Sequence, residues 1–266
     1  MLLWIQSDLH MESTRGWDLP AAGDRLEYDV LVIAGDLITR MERGVAWLLE
    51  RVNDRPVLYV AGNHESYGTD IDRTVEKARA LAAGSNVHVM QNDVVQISDP
   101  AGGTLVTFLG ATGWTDFNLF GDPERAMRIC GDVMNDYKKI RIDAYQRRLR
   151  PIHTLARHRE TRVFLHRELS KPKIGPRVIV SHMGLHPAAI RRGFERDISS
   201  AAYTSDCSDL LAMGVDVAIH GHTHETYDRM VAGVRLVTNA KGYGPWGPKE
   251  PTWDNKDFDP NFVIQI

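Results

Sequence analysis

An α/β layered fold is what this sequence predicts, on three observations. Short β-rich runs alternate with helical stretches through the first 115 residues, the pattern of strands packed against helices. Several of those runs are continuously apolar, as in strands buried on both faces. Later runs follow one another through short connections, which makes the sheet mixed rather than wholly parallel.

The elements follow in order. Leu2–Gln6 reads as a buried strand, residues 29–34 (D-V-L-V-I-A) as a second ended by Gly35, and residues 56–61 (P-V-L-Y-V-A) as a third ended by Gly62. Residues 41–52 place Val45, Leu48, Leu49 and Val52 at helical spacing. Residues 71–83 read as a helix, with Thr69 or Asp70 as N-cap and Gly84 as its stop. Residues 87–90, 94–97 and 104–109 are strands, the last two separated by the turn Asp99-Pro100-Ala101-Gly102-Gly103. Cys130, Val133, Tyr137, Ile140 and Ala144 then form one stripe of an amphipathic helix, and residues 152–169 continue helically beyond Pro151. The strand pattern returns at residues 177–180. A helix over 205–213 with Ser205 as N-cap, a strand at 215–219 and a hairpin of 226–231 with 234–238 follow. Residues 242–260 read as an ordered loop rich in Gly, Pro and Trp, and residues 262–266 as a strand closing a sheet edge.

Composition bounds the function. The chain has 266 residues, 43% apolar and 25% charged, which suits one globular domain near the upper size of a single core. We expect a single domain over 1–266 with a helical, cap-like insertion at about 122–171. No apolar run approaches the roughly 20 residues that span a bilayer, and the first residues lack a secretory signal. Cys130 and Cys207 make no disulfide framework, which points to a reducing, cytoplasmic setting. The net charge of -3 argues against a dedicated nucleic-acid binder. It hides an uneven distribution: residues 124–171 carry 13 basic against 6 acidic side chains, a local +7, and the remainder is -10.

Five segments place metal-ligand types where a strand runs into a turn: Asp8-Leu9-His10, Gly35-Asp36, Gly62-Asn63-His64-Glu65, Ser181-His182 and Gly221-His222-Thr223-His224. Asp8 and His10, like His222 and His224, are two apart, and on extended backbone such residues point to one side. Ligands at the ends of neighbouring strands converge on the crevice where open α/β sheets bind. The donors are carboxylate or amide oxygen and imidazole nitrogen, a mixture suited to Mn, Fe or Zn. Asp8, His10, Asp36, Asn63, His182, His222 and His224 exceed one tetrahedral site and fit two metals sharing a carboxylate. Two ions about 3.5–4 Å apart clamp a phosphoryl group and generate hydroxide for in-line attack.

Taken together, D-L-H, G-D-L, G-N-H-E, S-H and G-H-T-H resemble the calcineurin-like metallophosphoesterases, across residues 8–224. The resemblance implies a four-layer α/β/β/α sandwich of two mixed sheets, with a dinuclear centre of divalent or trivalent ions between their loops. It implies one metal on Asp8, His10, Asp36 and His224, and another on Asp36, Asn63, His182 and His222, bridged by Asp36 and a hydroxide. His64 matches the histidine that contacts the phosphate and protonates the leaving oxygen.

The protein phosphatases of that superfamily read G-D-x-V-D-R-G and R-G-N-H-E. Here Ala61 replaces the second arginine, and the D-R-G element is missing. The smaller bacterial-type phosphodiesterases match better in length. The expectation is a phosphodiesterase acting on a small substrate, with a nucleotide among the candidates. A phosphomonoesterase or phosphoprotein phosphatase is the alternative, and a nuclease a variant in which the basic segment holds the strand. The intact ligand set argues against a non-catalytic scaffold. Tyr67, Lys241 and Tyr243 are candidate substrate contacts. Lys138, Lys139, Arg141, Arg147, Arg148 and Arg150 either attract an anion or form a solvated face. His220, which adjoins Gly221, is expected to point away from the centre.

Overall fold

A computed structural model describes residues 1–247 and 252–266. The strands are β1 (Leu2–Gln6), β2 (Val30–Ala34), β3 (Val57–Val60), β4 (Val87–Met90), β5 (Asp93–Ser98), β6 (Leu105–Ala111), β7 (Arg141–Ile142), β8 (Arg147–Arg148), β9 (Arg177–Ser181), β10 (Val217–Ile219), β11 (Thr226–Val231), β12 (Val234–Asn239) and β13 (Val263–Gln265). The helices are α1 (Met41–Arg51), α2 (Ile71–Ala82), α3 (Pro123–Val133), α4 (Asp136–Lys139), α5 (Pro151–Leu169) and α6 (Ser208–Leu211).

Two mixed sheets form. One runs β13-β1-β2-β3-β4, and the other β11-β12-β10-β9-β6-β5. Within the first, β1, β2, β3 and β4 are parallel and β13 closes the edge antiparallel to β1. Within the second, β6, β9, β10 and β12 are parallel, flanked by antiparallel β5 and β11.

The two-residue period of a strand sorts the side chains into layers. Leu3, Ile5, Val30, Val32, Leu58 and Val60 face the second sheet, where they meet Phe108, Val178, Val180, Ile219 and Val237. Trp4, Leu31, Ile33, Val57 and Tyr59 point the other way, onto Val45 and Leu48 of α1 and Ala78 of α2. On the far side, Leu109, Ile179, Ala218 and Leu236 pack on Phe164 and Leu165 of α5 and Leu210 and Leu211 of α6. The result is helices, sheet, sheet, helices. That is the four-layer sandwich, and continuously apolar strands are its sequence signature because both faces of each central strand are covered.

Asp70 caps α2 by accepting the backbone N–H groups of Asp72 and Arg73. Two expectations need correction. The stripe from Cys130 to Ala144 is not one helix. α3 ends at Val133, α4 is four residues long, and Ala144 lies in the β7–β8 turn with φ +51°. The break is accompanied by tertiary contacts: Asp136 at the start of α4 turns inward to bond Asn63 and Tyr67. The helix expected over 205–213 shrinks to α6, because the Ser205 hydroxyl is engaged with Asp116 rather than capping. The loop expected over 242–260 includes residues 248–251, which lie outside the described residues. Among the described residues no helix is long and apolar enough to cross a membrane, and Cys130 and Cys207 are free, buried thiols.

Candidate metal centre

The carboxyl ends of β1, β2, β3, β9 and β10 lie side by side, and each is followed by one of the five motif segments. A bridge between Ser7 and Ala240 joins the two sheets at this point. The turns are tight. A Cβ at Gly62 would stand 2.1 Å from Asp36 Oδ1, and one at Gly221 would stand 2.0 Å from Ser7 Oγ and 2.5 Å from Asp8 Oδ2. Only glycine lets these backbones approach the carboxylates. Asp8, His10, Asp36, His222 and His224 all have φ between +46° and +69°. This corrects the extended-backbone argument for the paired ligands: they converge through left-handed turns beyond the strands, a costly conformation that clusters at functional sites.

All seven expected donors come together. On one side, His224 Nε2 lies 3.3 Å from Asp8 Oδ1 and 3.3 Å from His10 Nε2, and Asp36 Oδ2 is 3.8 Å from His10 Nε2. On the other, His182 Nε2 lies 3.1 Å from both Asn63 Oδ1 and His222 Nδ1, and 3.4 Å from Asp36 Oδ1. Asp36 thus offers one oxygen to each side.

This set fits a pair of cations on two grounds. The first is tautomeric. His10, His182 and His224 each direct Nδ1 at an oxygen acceptor: Glu12 at 3.4 Å, the Ala34 carbonyl at 2.8 Å and Asp254 at 3.2 Å. With a ring hydrogen held there, Nε2 is the nitrogen left facing the cluster, where a cation would take the place of its proton, as in metal-binding imidazoles. The second is charge. Burial alone would raise the Asp8 and Asp36 carboxyls. Hydrogen bonding from His224 and the charges of His182 and His224 hold Asp8 low instead, and the charges of His182 and His64 do the same for Asp36. Burial pulls His182 and His224 down too, yet Asp36 lifts the first to about 10, and Asp254 with Asp8 lifts the second to about 9. Buried carboxylates here demand positive charge. Asp8 Oδ2 accepts from the Ser7 hydroxyl and the His222 N–H, while Oδ1 faces the cluster with His224 Nε2 beside it.

Several contributors were missed by sequence reasoning. Glu12 accepts from His64 Nδ1 at 2.7 Å, and Asp136 accepts from Asn63 Nδ2 at 2.8 Å and from the Tyr67 hydroxyl at 2.6 Å. The bond to Asp136 frees Asn63 Oδ1 for the cluster by holding the amide nitrogen away. Tyr203 stacks on His222 with ring centroids 4.2 Å apart. Glu12 stands two residues beyond His10, the same interval that flagged the ligands. Asp136, Tyr203 and Asp254 carry no local signal. Glu65, noted as a motif match, ties two motif turns: its carboxyl accepts the N–H groups of Asp36, Leu37 and Gly62 and the hydroxyl of Tyr59.

Tyr67 and Tyr243 reach the cleft. The Tyr67 ring lies 4.2 Å from His64, and the Tyr243 hydroxyl lies 3.1 Å from His64 Nε2 while its ring stacks on His10. Lys241 does not: it is fully buried, with its amine bonded to the carbonyls of Gly242 and Gly244 and to Thr14. It holds the loop that delivers Tyr243. His220 points away as expected, its Nε2 2.6 Å from the Tyr227 hydroxyl.

Comparison with known proteins agrees with this geometry. The family model described as calcineurin-like phosphoesterase matches residues 1–226. An uncharacterised protein of Acanthamoeba polyphaga mimivirus, L509, is 23% identical over all of this chain and 96% of its own length. The crystal structure of a phosphopantetheinyl hydrolase from Mycobacterium tuberculosis superposes with a TM-score of 0.68 at 20% identity, covering 93% of this chain and 90% of that one. At that identity the likeness is one of fold.

Proposed function

This chain belongs to the calcineurin-like phosphoesterase family, a family of phosphoester hydrolases, and from that premise we propose that it is a metal-dependent phosphodiesterase acting on a small substrate. Asp8, His10, Asp36 and His224 would hold one ion, and Asp36, Asn63, His182 and His222 the other, with Mn, Fe or Zn suited to these donors. When bound, such a pair polarises the phosphoryl oxygens and makes a water acidic enough to ionise near neutral pH.

The protein's own groups do the rest. Glu12 fixes the His64 ring by accepting from Nδ1, so Nε2 is the nitrogen that presents a proton to the departing oxygen. Burial would lower His64, but the Asp36 charge and the Glu12 hydrogen bond keep it above its ordinary value. The Tyr243 hydroxyl marks the place at Nε2 where that oxygen would stand.

The scarcity of side-chain cations in the cleft supports the preference for a diester. Arg191 is the one guanidinium among the described residues that line it. A monoester brings about two negative charges near neutral pH and a diester one, so a cleft without the paired arginines of the protein phosphatases suits the diester better. A small substrate is favoured over nucleic acid because the net charge is -3 and part of the basic segment is paired, Arg147 with Asp143, Arg157 with Asp72 and Arg162 with Asp209.

The test is hydrolysis of bis(4-nitrophenyl) phosphate against 4-nitrophenyl phosphate by manganese-loaded protein. The diester is expected to have the higher kcat/KM, and the reverse order replaces this reading with a phosphomonoesterase. A screen of natural diesters then follows, with phosphopantetheinyl esters included because the mycobacterial protein is named for them.

A further inference from the structure

Three cavities meet at the metal centre, and Arg191 lines all of them. The central cleft contains His64, Tyr67 and Tyr243 and measures about 330 Å3. A side cavity of about 160 Å3 opens past His222, walled by Ile190, Phe194, Ser199 and Tyr203. A wider groove of about 500 Å3 opens past His224, where Arg192, Arg229 and Lys256 alternate with Glu225 and Asp257. Space therefore leaves the cluster in two directions of different character: one is narrow, with Ile190, Phe194 and Tyr203 facing Ser199, Ser200 and Thr223, and the other is charged and broad. A monoester has one organic arm to place, and a diester has two.

Size decides what the narrow arm accepts. A cavity of about 150 Å3 is large enough for one benzene ring, and the side cavity is about 160 Å3, with Ile190, Phe194 and Tyr203 supplying its apolar surface. Its aromatic wall is held in place, because the Tyr203 ring stacks on His222 at an interplanar angle of 27°. The Arg191 guanidinium lies 5.7 Å from the Phe194 ring centroid, at the junction with the cleft.

We propose that the substrate is a phosphodiester with one single-ring aromatic arm, and that this arm seats between Ile190, Phe194 and Tyr203 with Arg191 at the phosphoryl group. The proposal rests on the diesterase reading. His64 lines the central cleft and not the side cavity, so the ring is the arm that stays. Water supplies the new P–O bond, the P–O bond to the other arm breaks, and the departing oxygen takes a proton. The products are an alcohol and a ring-bearing phosphomonoester.

The experiment uses three diesters that share the 4-nitrophenolate leaving group and differ in the retained arm: methyl, phenyl and 2-naphthyl. Burial of one ring predicts a kcat/KM for the phenyl ester about tenfold or more above that for the methyl ester, with the two-ring naphthyl ester below the phenyl. Calorimetric titration with phenyl phosphate and methyl phosphate should give the same order of affinity. Phe194→Ala and Ile190→Ala should each shrink the phenyl-to-methyl ratio. A ratio below about threefold in the native protein, or a naphthyl ester better than the phenyl, overturns the ring subsite while leaving the diesterase reading intact. Faster turnover of 4-nitrophenyl phosphate than of every diester overturns both. The comparisons on the native protein decide the matter even if a variant fails to fold.

Discussion

Asp36 divides its carboxylate between the two halves of the cluster, with Oδ2 toward His10 and Oδ1 toward His182. No neighbour can replace both oxygens. Asp36→Ala is expected to lose metal and hydrolysis together, read by elemental analysis beside a rate assay, and a fully active variant would sink the dinuclear assignment. His64 differs, because it is not among the proposed ligands. His64→Ala should keep its metals while turnover falls about 10²–10⁴-fold, the range of a general acid. Glu12→Gln should keep the fold and lose about 10–100-fold in activity or metal affinity, as outer partners of ligating histidines do. Its loss should be larger for esters with poor leaving groups. These roles were unequally legible. The seven proposed donors could be read together because each follows a strand within a few residues, so the local pattern and the cluster in the fold coincide. Asp136 and Asp254 reach the site from loops whose local sequence carries no period, and only the folded chain brings them to Asn63 and His224.

At the level of elements, the strand ends matter more than the strands. Gly221 lets the turn after β10 lie against Ser7 and Asp8, where a methyl group would stand 2.0 Å from Ser7 Oγ and 2.8 Å from the Ala34 carbonyl. Those atoms belong to the other sheet's strand ends, so the turn cannot move away without opening the site. Gly221→Ala is expected to destabilise the protein by about 1–3 kcal/mol, as overpacking does, and to weaken metal binding as well. Thermal melts with and without manganese check this: a variant with native melting temperature and native metal content would show that the approach is not required. The strands were legible because a short, continuously apolar run bounded by glycine suits a strand covered on both faces. The α3–α4 break was not, since Cys130, Val133, Tyr137 and Ile140 keep helical spacing while the chain turns to deliver Asp136. Here a buried hydrogen bond outweighs a periodic pattern, and Val133 is left exposed.

Across the whole molecule, the segment after β12 closes the structure. Lys241 N–H donates to the Ser7 carbonyl of the first sheet, and its side chain is fully buried beneath the loop carrying Tyr243. As sequence, Lys241 suggested a cation for the substrate; in the fold its amine is consumed by the carbonyls of Gly242 and Gly244. Burial lowers its pKa from 10.5 to about 8. The sign of the consequence is fixed by linkage. Between about pH 8 and pH 10.5 the unfolded chain holds this proton more tightly than the folded one, so stability gains as pH rises through that window. Below about pH 8 the full penalty applies, on the order of 3 kcal/mol at about 1.4 kcal/mol per pKa unit. Lys241→Met removes the proton and the penalty but strands two carbonyls, so its stability at any single pH is uninformative. The difference between native and variant is the useful quantity. Urea unfolding from about pH 7.5 to 10.5 should show the native protein gaining on Lys241→Met as pH rises. Parallel curves for the two would mean that the carbonyls of Gly242 and Gly244 hold the ammonium as well as water does, and that burial here costs the charge nothing.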